Sequence, residues 1–488
     1  MNNSEGNNKS NPLYFFNKKK SFILSFIGTI IYFMAIMTPF GIGQYSVYIT
    51  SYFHHFNQNI NIQLGNLMMP VLILFLSLSA PIGGILEHKL GMHLTLIINS
   101  LILEFLVFIF IYQRNIWMTF LLIILIGMTI GSVITIPGKN ICFYYPEKKG
   151  IITSLMTSCN IIIGSMLNVF GEKIINPNRI ILKENETYYP INVAQNYIKF
   201  YKIALIIIPV CSFLSLPFLK KYKEQNDNKE GNLDKRLNGD DINEKENYSK
   251  NLKAAIFNSR IWKIAMISIF SQFAIGFALS TFRVYGALIS INGTIMQYAP
   301  LFFGFSMIIF GPIWGFINDK FQSFKIIRFI CLLFIIISTL LSIFIKSNIF
   351  YIICIFIGSI FNTGMNTLMN PYIMKIYGMK YFIEIGGVIT ICMGIINIFK
   401  GGISFLLSFY FQTGKELQTP YRIIFLIGTG LNILAYILSL KEKDEVFIYP
   451  YNPKKENKIE LSTYLESKTD ANSSEINEDK NKNQNNEK

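Results

Sequence analysis

Charge is scarce in this sequence. Asp, Glu, Lys and Arg make up 15% of its 488 residues and hydrophobic residues 51%, a balance that excludes an ordinary soluble domain for a chain that also carries long polar ends. The motifs of soluble enzymes are missing too. There is no Walker loop, no His-Glu-x-x-His pair and no dinucleotide fingerprint, so ATP-driven pumping has no support within the chain, no enzyme activity is read from it and no cofactor is called for. Six cysteines, Cys142, Cys159, Cys211, Cys331, Cys354 and Cys392, are scattered in or beside apolar segments. They lack the CxxC or Cys/His spacing of a metal or redox site and read as small apolar packers. No small-residue cleavage site follows the first apolar stretch, which is long enough to stay in a bilayer and to act as its own targeting signal.

What the chain has in abundance is apolar runs of membrane length. A hydrocarbon core of roughly 30 Å needs about 20 apolar residues in a helix, and twelve such windows occur, from residues 21–45 to residues 421–440. The formal net charge is +15, but the bases gather in alternate connections, not in one patch, which argues against a nucleic-acid partner. Lys18 to Lys20, Lys148 with Lys149, Lys220 with Lys221 and Lys223, the run 320–328, and Lys375 with Lys380 alternate with base-free loops such as 51–63. Cytoplasmic loops carry the excess of Lys and Arg, so both termini are placed in the cytoplasm; Arg114, Lys346 and Lys415 fall on the outer side against the rule.

Residues 1–20, 220–250 and 441–488 are saturated with Asn, Lys and Glu and lack the apolar residues to bury a core. They are expected to be solvated tails and a linker. The expected organisation is a cytoplasmic tail (1–20), a six-helix half (21–219), a cytoplasmic linker (220–260), a second six-helix half (261–440) and a disordered tail (441–488). The fold class is all-α integral membrane, twelve transmembrane helices in two pseudo-symmetric halves. Asn185 and Asn292 stand in Asn-x-Thr sequons on the outer side, although Asn247 carries the same pattern on the cytoplasmic side.

One internal repeat ties the halves together. "PIGGILEHKLG" (81–91) and "PIWGFINDKFQ" (312–322) match with Gly84 and Gly315 in register, 231 residues apart. Glycine lets two helices approach closely in lipid, and an acid and a base just beyond it can latch the cytoplasmic loop to a neighbouring helix end, because carboxylates favour helix N-termini. Gly84, Glu87, Lys89 and Gly91 form the first copy; Gly315, Asp319 and Lys320 form the second.

With this motif between the second and third span of each half, the chain resembles the major facilitator superfamily over roughly residues 21–440. The family pattern is Gly-x-Leu-Ala-Asp-Arg-x-Gly-Arg-Arg. Here His88 stands where the acid belongs in the first copy, with Glu87 one place earlier, and Gln322 replaces the second glycine in the other. Within the superfamily, "CFYYPEKKG" (142–150) and the span after it are similar to oxalate/formate antiporters and monocarboxylate transporters. The superfamily motif implies a gate latch, and the run 142–150 suggests the branch without fixing a substrate. Lys400, ahead of Gly401 and Gly402, resembles the lysine with which the antiporters bind a substrate carboxylate. The arginine of their eighth span is replaced by Gly311 before Pro312.

Ionisable groups at membrane depth are functional suspects. Lys400 could pair with an anion through charge-assisted hydrogen bonds or snorkel to the surface. Arg283, toward the outer end of the seventh span, has the same alternatives and a fork suited to a carboxylate. Glu104 is either a proton carrier, burial raising a carboxyl pKa, or a packing residue. Asn160, Gln272, Asn362 and Asn366 are further polar side chains in apolar segments, of the kind that joins helices. The expected function is secondary transport of a small organic anion, a monocarboxylate, by proton symport or anion exchange across a plasma membrane. An amino acid or other polar nutrient is the alternative substrate, and a non-transporting sensor the alternative class.

Overall fold

The computed structural model describes residues 12–448 apart from 58–59, 62–63, 179, 181–187, 223–239, 289–292, 322, 345–346, 411–413 and 443. The described chain is helical without a strand. The helices are α1 (Pro12–Met37), α2 (Ile42–Phe56), α3 (Gly65–Leu90), α4 (Met92–Tyr112), α5 (Ile116–Gly131), α6 (Ile136–Cys142), α7 (Lys149–Ile175), α8 (Ile191–Ala194), α9 (Tyr197–Ser215), α10 (Asp240–Ile256), α11 (Ser259–Leu288), α12 (Gly293–Phe321), α13 (Lys325–Ile343), α14 (Asn348–Tyr377), α15 (Phe382–Tyr410) and α16 (Gly414–Leu440). Among the described residues, eleven stretches are long and apolar enough to cross a membrane. The predicted eighth span coincides with α12, whose 29 residues bring the count into agreement with twelve.

These helices are apolar on nearly every side, as expected where the outer solvent is hydrocarbon. On α4, Leu103, Val107 and Phe110 face the interior while Leu101, Phe105 and Phe108 are exposed. Serines and threonines enter this environment by bonding to their own helix: Thr29 Oγ1 donates to Ser25 O at 2.8 Å and Ser338 Oγ to Phe334 O at 2.7 Å.

Two predicted boundaries move. The first span was expected to end at residue 45, but after a 3-10 turn at Thr38–Gly41 the helix resumes as α2 and runs to Phe56. Its face of Ile42, Tyr45, Ile49 and Phe53 is buried, and that burial sustains helix past the apolar window. The disordered tail was expected from residue 441, yet one compact unit, Met1–Asp227 with Asn258–Val446, includes residues 441–446. Glu442 is buried and pairs with Arg260 at the start of α11. The Asp444 carboxylate accepts from Phe324 N at 2.9 Å and Ser323 Oγ at 3.0 Å, at the N-terminus of α13. The buried Glu442 paired with Arg260 and the Asp444 cap on α13 together hold the chain down. The second unit is Asn228–Phe257 with Phe447–Lys488; within it the expected linker forms α10, with Lys253 in the last turn, where a cation complements the helix dipole.

The end of the sixth span is held similarly. Ser25 Oγ, Asn140 Nδ2 and Tyr144 OH all donate to Lys220 O, at 3.0, 2.9 and 3.0 Å. Burial raises the Tyr144 pKa above its ordinary value, which keeps the phenol a donor.

The first six spans meet the last six chiefly through α3 with α15 and α7 with α12, with α7 also touching α14 and α6 touching α15. Both seams are built on small residues. A Cβ added to Gly387, Gly394 or Gly401 of α15 would lie 2.7 Å from Pro81, 2.5 Å from Ser77 or 2.5 Å from Pro70 of α3. A Cβ on Gly150 of α7 would lie 2.6 Å from the carbonyl oxygen of Gly315 on α12. In lipid, close backbone approach of this kind replaces hydrophobic burial as the force between helices.

Candidate functional site

The second motif copy lies against a helix end across the junction. Asp319, at the C-terminal end of α12, reaches the first turn of α7, where its carboxylate accepts from Gly150 N at 2.7 Å and Ile151 N at 2.9 Å. A helix N-terminus leaves its first N–H groups without intrahelical partners, and the carboxylate takes two of them across the junction of the halves. Gly315 lets it come that close, since a Cβ there would sit 2.5 Å from Gly150 O. Lys320 is exposed, its ammonium 5.7 Å from the Phe321 ring centre.

The first copy departs from that geometry. Glu87, one place before His88, pairs at 3.0 Å with Lys139 of α6, in its own half. The helix end across the junction is the start of α15, and the acid there is Glu384, in that helix's own first turn and 2% exposed. It packs on the motif glycine: a Cβ on Gly84 would lie 2.5 Å from Glu384 Oε1. By the repeat, His88 corresponds to Asp319 and Glu384 to Thr153 of α7. The acid has changed sides of the junction. The signal was legible, because Glu384 and Lys400 are the two charged residues of α15, but its place at a span end disguised it. His88 and Lys89 are exposed, and Gly91 ends α3 with φ +80, a conformation that favours glycine.

Lys400 does not snorkel. It is 5% exposed, ten residues short of the C-terminal end of α15. Its Nζ lies where a side chain on Gly276 of α11 would be and donates to Gln272 O at 3.4 Å. Gly401, the next residue, packs on Pro70 of α3. The lysine therefore sits beside both its own half and the seam to the other.

Arg283 lies on α11, and its side chain is outside the described residues, as are Asn185 and Asn292. Glu104 is half-buried on α4 between exposed Leu101 and Phe105, without the deep burial that a proton carrier was expected to have. Of the polar candidates, Gln272 and Asn362 are buried, Asn160 is half-buried and Asn366 is exposed. Among the described residues no group of His, Cys, Asp and Glu could hold a metal.

The fold is shared with transporters of known structure. The Escherichia coli fucose:proton symporter FucP superposes with a TM-score of 0.59 at 15% identity, over 86% of this chain and 98% of that one. The proton:xylose symporter XylE gives 0.63 at 13% identity, over 88% and 97%. The human organic anion transporter MFSD10 gives 0.55 at 10%, over 86% and 99%. None of the curated proteins matches the chain in sequence. The profile of the Major Facilitator Superfamily, in contrast, matches residues 201–468, more than half of the chain. Helices of membrane length, two seams between the sets of six, and this match agree: the chain is a multi-pass membrane protein of the Major Facilitator Superfamily, a family of transporters and not of enzymes.

Proposed function

We propose that this transporter carries a small organic anion, a monocarboxylate, by alternating access of the segments 21–219 and 261–440 across a plasma membrane. The observation that supports it is Lys400. An ammonium buried in the membrane interior is costly unless it has a function or a partner, and the bond to Gln272 O, at 3.4 Å, is long for a charged donor. A carboxylate is the natural complement. Placement of Lys400 beside Gly401 and Pro70 gives the bound anion a route to the α3–α15 seam, and the Asp319 latch closes the Lys-rich, cytoplasmic end of the other seam.

Cycling of this kind needs ligand at a site between halves that rock. Arg283 is proposed as a second cation, on the same helix as Gln272 and farther out. The half-exposed position of Glu104 favours anion exchange over proton symport through that residue.

The test is uptake of labelled pyruvate, lactate and formate into proteoliposomes, with and without a pH gradient, by the wild type and Lys400→Ala. Saturable uptake that the substitution abolishes is expected. Uptake indifferent to Lys400→Ala overturns the reading, and binding without flux would make the protein a sensor. A pH-gradient dependence that disappears in Glu104→Gln would restore Glu104 as the proton carrier.

A further inference from the structure

We infer that Gln272 and Asn362 complete the Lys400 site and make it selective for a small carboxylate bearing a hydrogen-bond donor, a hydroxyl, on the adjacent carbon. This rests on the reading of Lys400 as the partner of the anion.

The placement follows from helix geometry. Gln272, Ile275 and Gly276 are spaced i, i+3, i+4 and share one face of α11. Gly276 lies against Lys400 Nζ of α15, and Ile275 lies against α14, where a Cβ on Gly358 would be 2.7 Å from Ile275 Cδ1. The face bearing Gln272 is thus directed between α15 and α14. As the seventh and tenth spans, α11 and α14 run in opposite directions, so Asn362, one turn beyond Gly358, comes level with Gln272. Three helices bring three polar side chains to one depth: Lys400 at 5% exposure, Gln272 at 5% and Asn362 at 7%.

Their hydrogen-bond inventory defines the ligand. Gln272 Nε2 is a buried donor without a partner, and Asn362 Oδ1 a buried acceptor without one. Lys400 Nζ adds a charged donor with one long bond. Two donors and one acceptor are therefore left over, in a region where an unmade bond to a buried polar group is costly. The complement is two acceptors carrying negative charge and one donor. A carboxylate supplies the first pair, to Lys400 and Gln272, and a neighbouring hydroxyl donates to Asn362 Oδ1. An ammonium could donate there too, but it would share a small volume with the Lys400 charge, and like charges repel strongly where the dielectric constant is low.

Three ligands of one shape separate these chemistries: propionate, lactate and alanine differ only in hydrogen, hydroxyl or ammonium on the carbon beside the carboxylate. Titration calorimetry on the purified full-length protein should give lactate an affinity about tenfold above propionate, the equivalent of one hydrogen bond to a buried acceptor, with alanine weaker than lactate. Asn362→Leu should remove the preference for lactate, bringing its affinity down to that of propionate. Gln272→Leu should weaken both acids equally, and Lys400→Ala should abolish binding of both. Propionate binding as tightly as lactate, lost in Lys400→Ala, would overturn this inference and leave the anion reading standing. Alanine binding tightest would overturn it in favour of an amino acid. Failure of all three to bind, or binding indifferent to Lys400→Ala, would sink both readings. Because the wild-type series alone decides the hydroxyl question, a variant that misfolds on gel filtration does not rescue the idea.

Discussion

The two seams that join the halves are packed differently along their lengths. On α7–α12 the clearance for an added Cβ grows away from the Asp319 end: 2.6 Å between Gly150 and Gly315 O, 3.1 Å between Gly311 and Ser158 Oγ, and 4.0 Å between Gly304 and Ser165 Oγ. On α3–α15 it stays between 2.5 and 2.7 Å from Gly387 to Gly401. One seam is fastened at its end by a carboxylate on a helix N-terminus and slackens beyond it. The other is held throughout by glycines against Pro81, Ser77 and Pro70. A seam fastened at one point can open by losing that point, whereas a seam packed along its length must slide or pivot, so the two are suited to different parts of a rocking motion.

The largest effect that would break this comparison lies on the continuous seam. Gly401→Leu forces a side chain into Pro70 and should cost about 3 kcal/mol or more of stability, abolishing uptake and lowering the Tm sharply. Gly402→Leu, at a position with nothing within 4 Å, should behave nearly as wild type. Equal damage from both would show that α3–α15 packing is not the cause.

Next comes the latch. Asp319→Asn loses the charge on two hydrogen bonds, worth about 1.5–3 kcal/mol in total, and should open the cytoplasmic end of α7–α12 about tenfold or more often. Cys142 is fully buried and within electrostatic reach of Asp319 and Lys149. In a variant retaining only that cysteine, its alkylation rate reports the opening. An unchanged rate would mean that Asp319 is not a fastener.

Of intermediate size is the relocated acid. Glu384→Gln should weaken the cytoplasmic end of α3–α15 by about 1 kcal/mol, the scale of a carboxylate at a helix N-terminus, visible as a lower Tm. Adding His88→Asp to that variant should restore the loss by rebuilding the arrangement of the second half. Further loss in the double variant would show that Glu384 is not the counterpart of Asp319. Smallest is Glu87→Gln: the pair with Lys139 is partly exposed, at 18% and 13%, and such pairs contribute under about 1 kcal/mol. Uptake within twofold of wild type is the expected outcome.

Much of this was legible in the chain. The spans follow from apolar length, because a bilayer tests each segment locally and nearly independently of its neighbours. The repeat located both motif copies, and Lys400 was conspicuous as a lone cation within an apolar run. The partner of Glu87 in the first copy was not legible, because adjacency in sequence says nothing about which helix a side chain meets. Glu104 shows the same limit: depth along a helix is readable, but the side it faces is not when every face is apolar.

By itself, then, the sequence determined that the chain is a bundle of membrane helices with a duplicated glycine and charge motif, and that few charges enter its interior. Those properties depend on composition, length and local hydrogen bonding. Only the tertiary structure decided which helix end Asp319 caps, that Glu87 pairs with Lys139 in its own half while Glu384 packs on Gly84, that α2 and Glu442 belong to the packed body, and that Lys400 turns toward α11 and not toward the surface. Each of those depends on the rotation of one helix against another, which in lipid is chosen by small residues and buried polar partners distributed over distant segments.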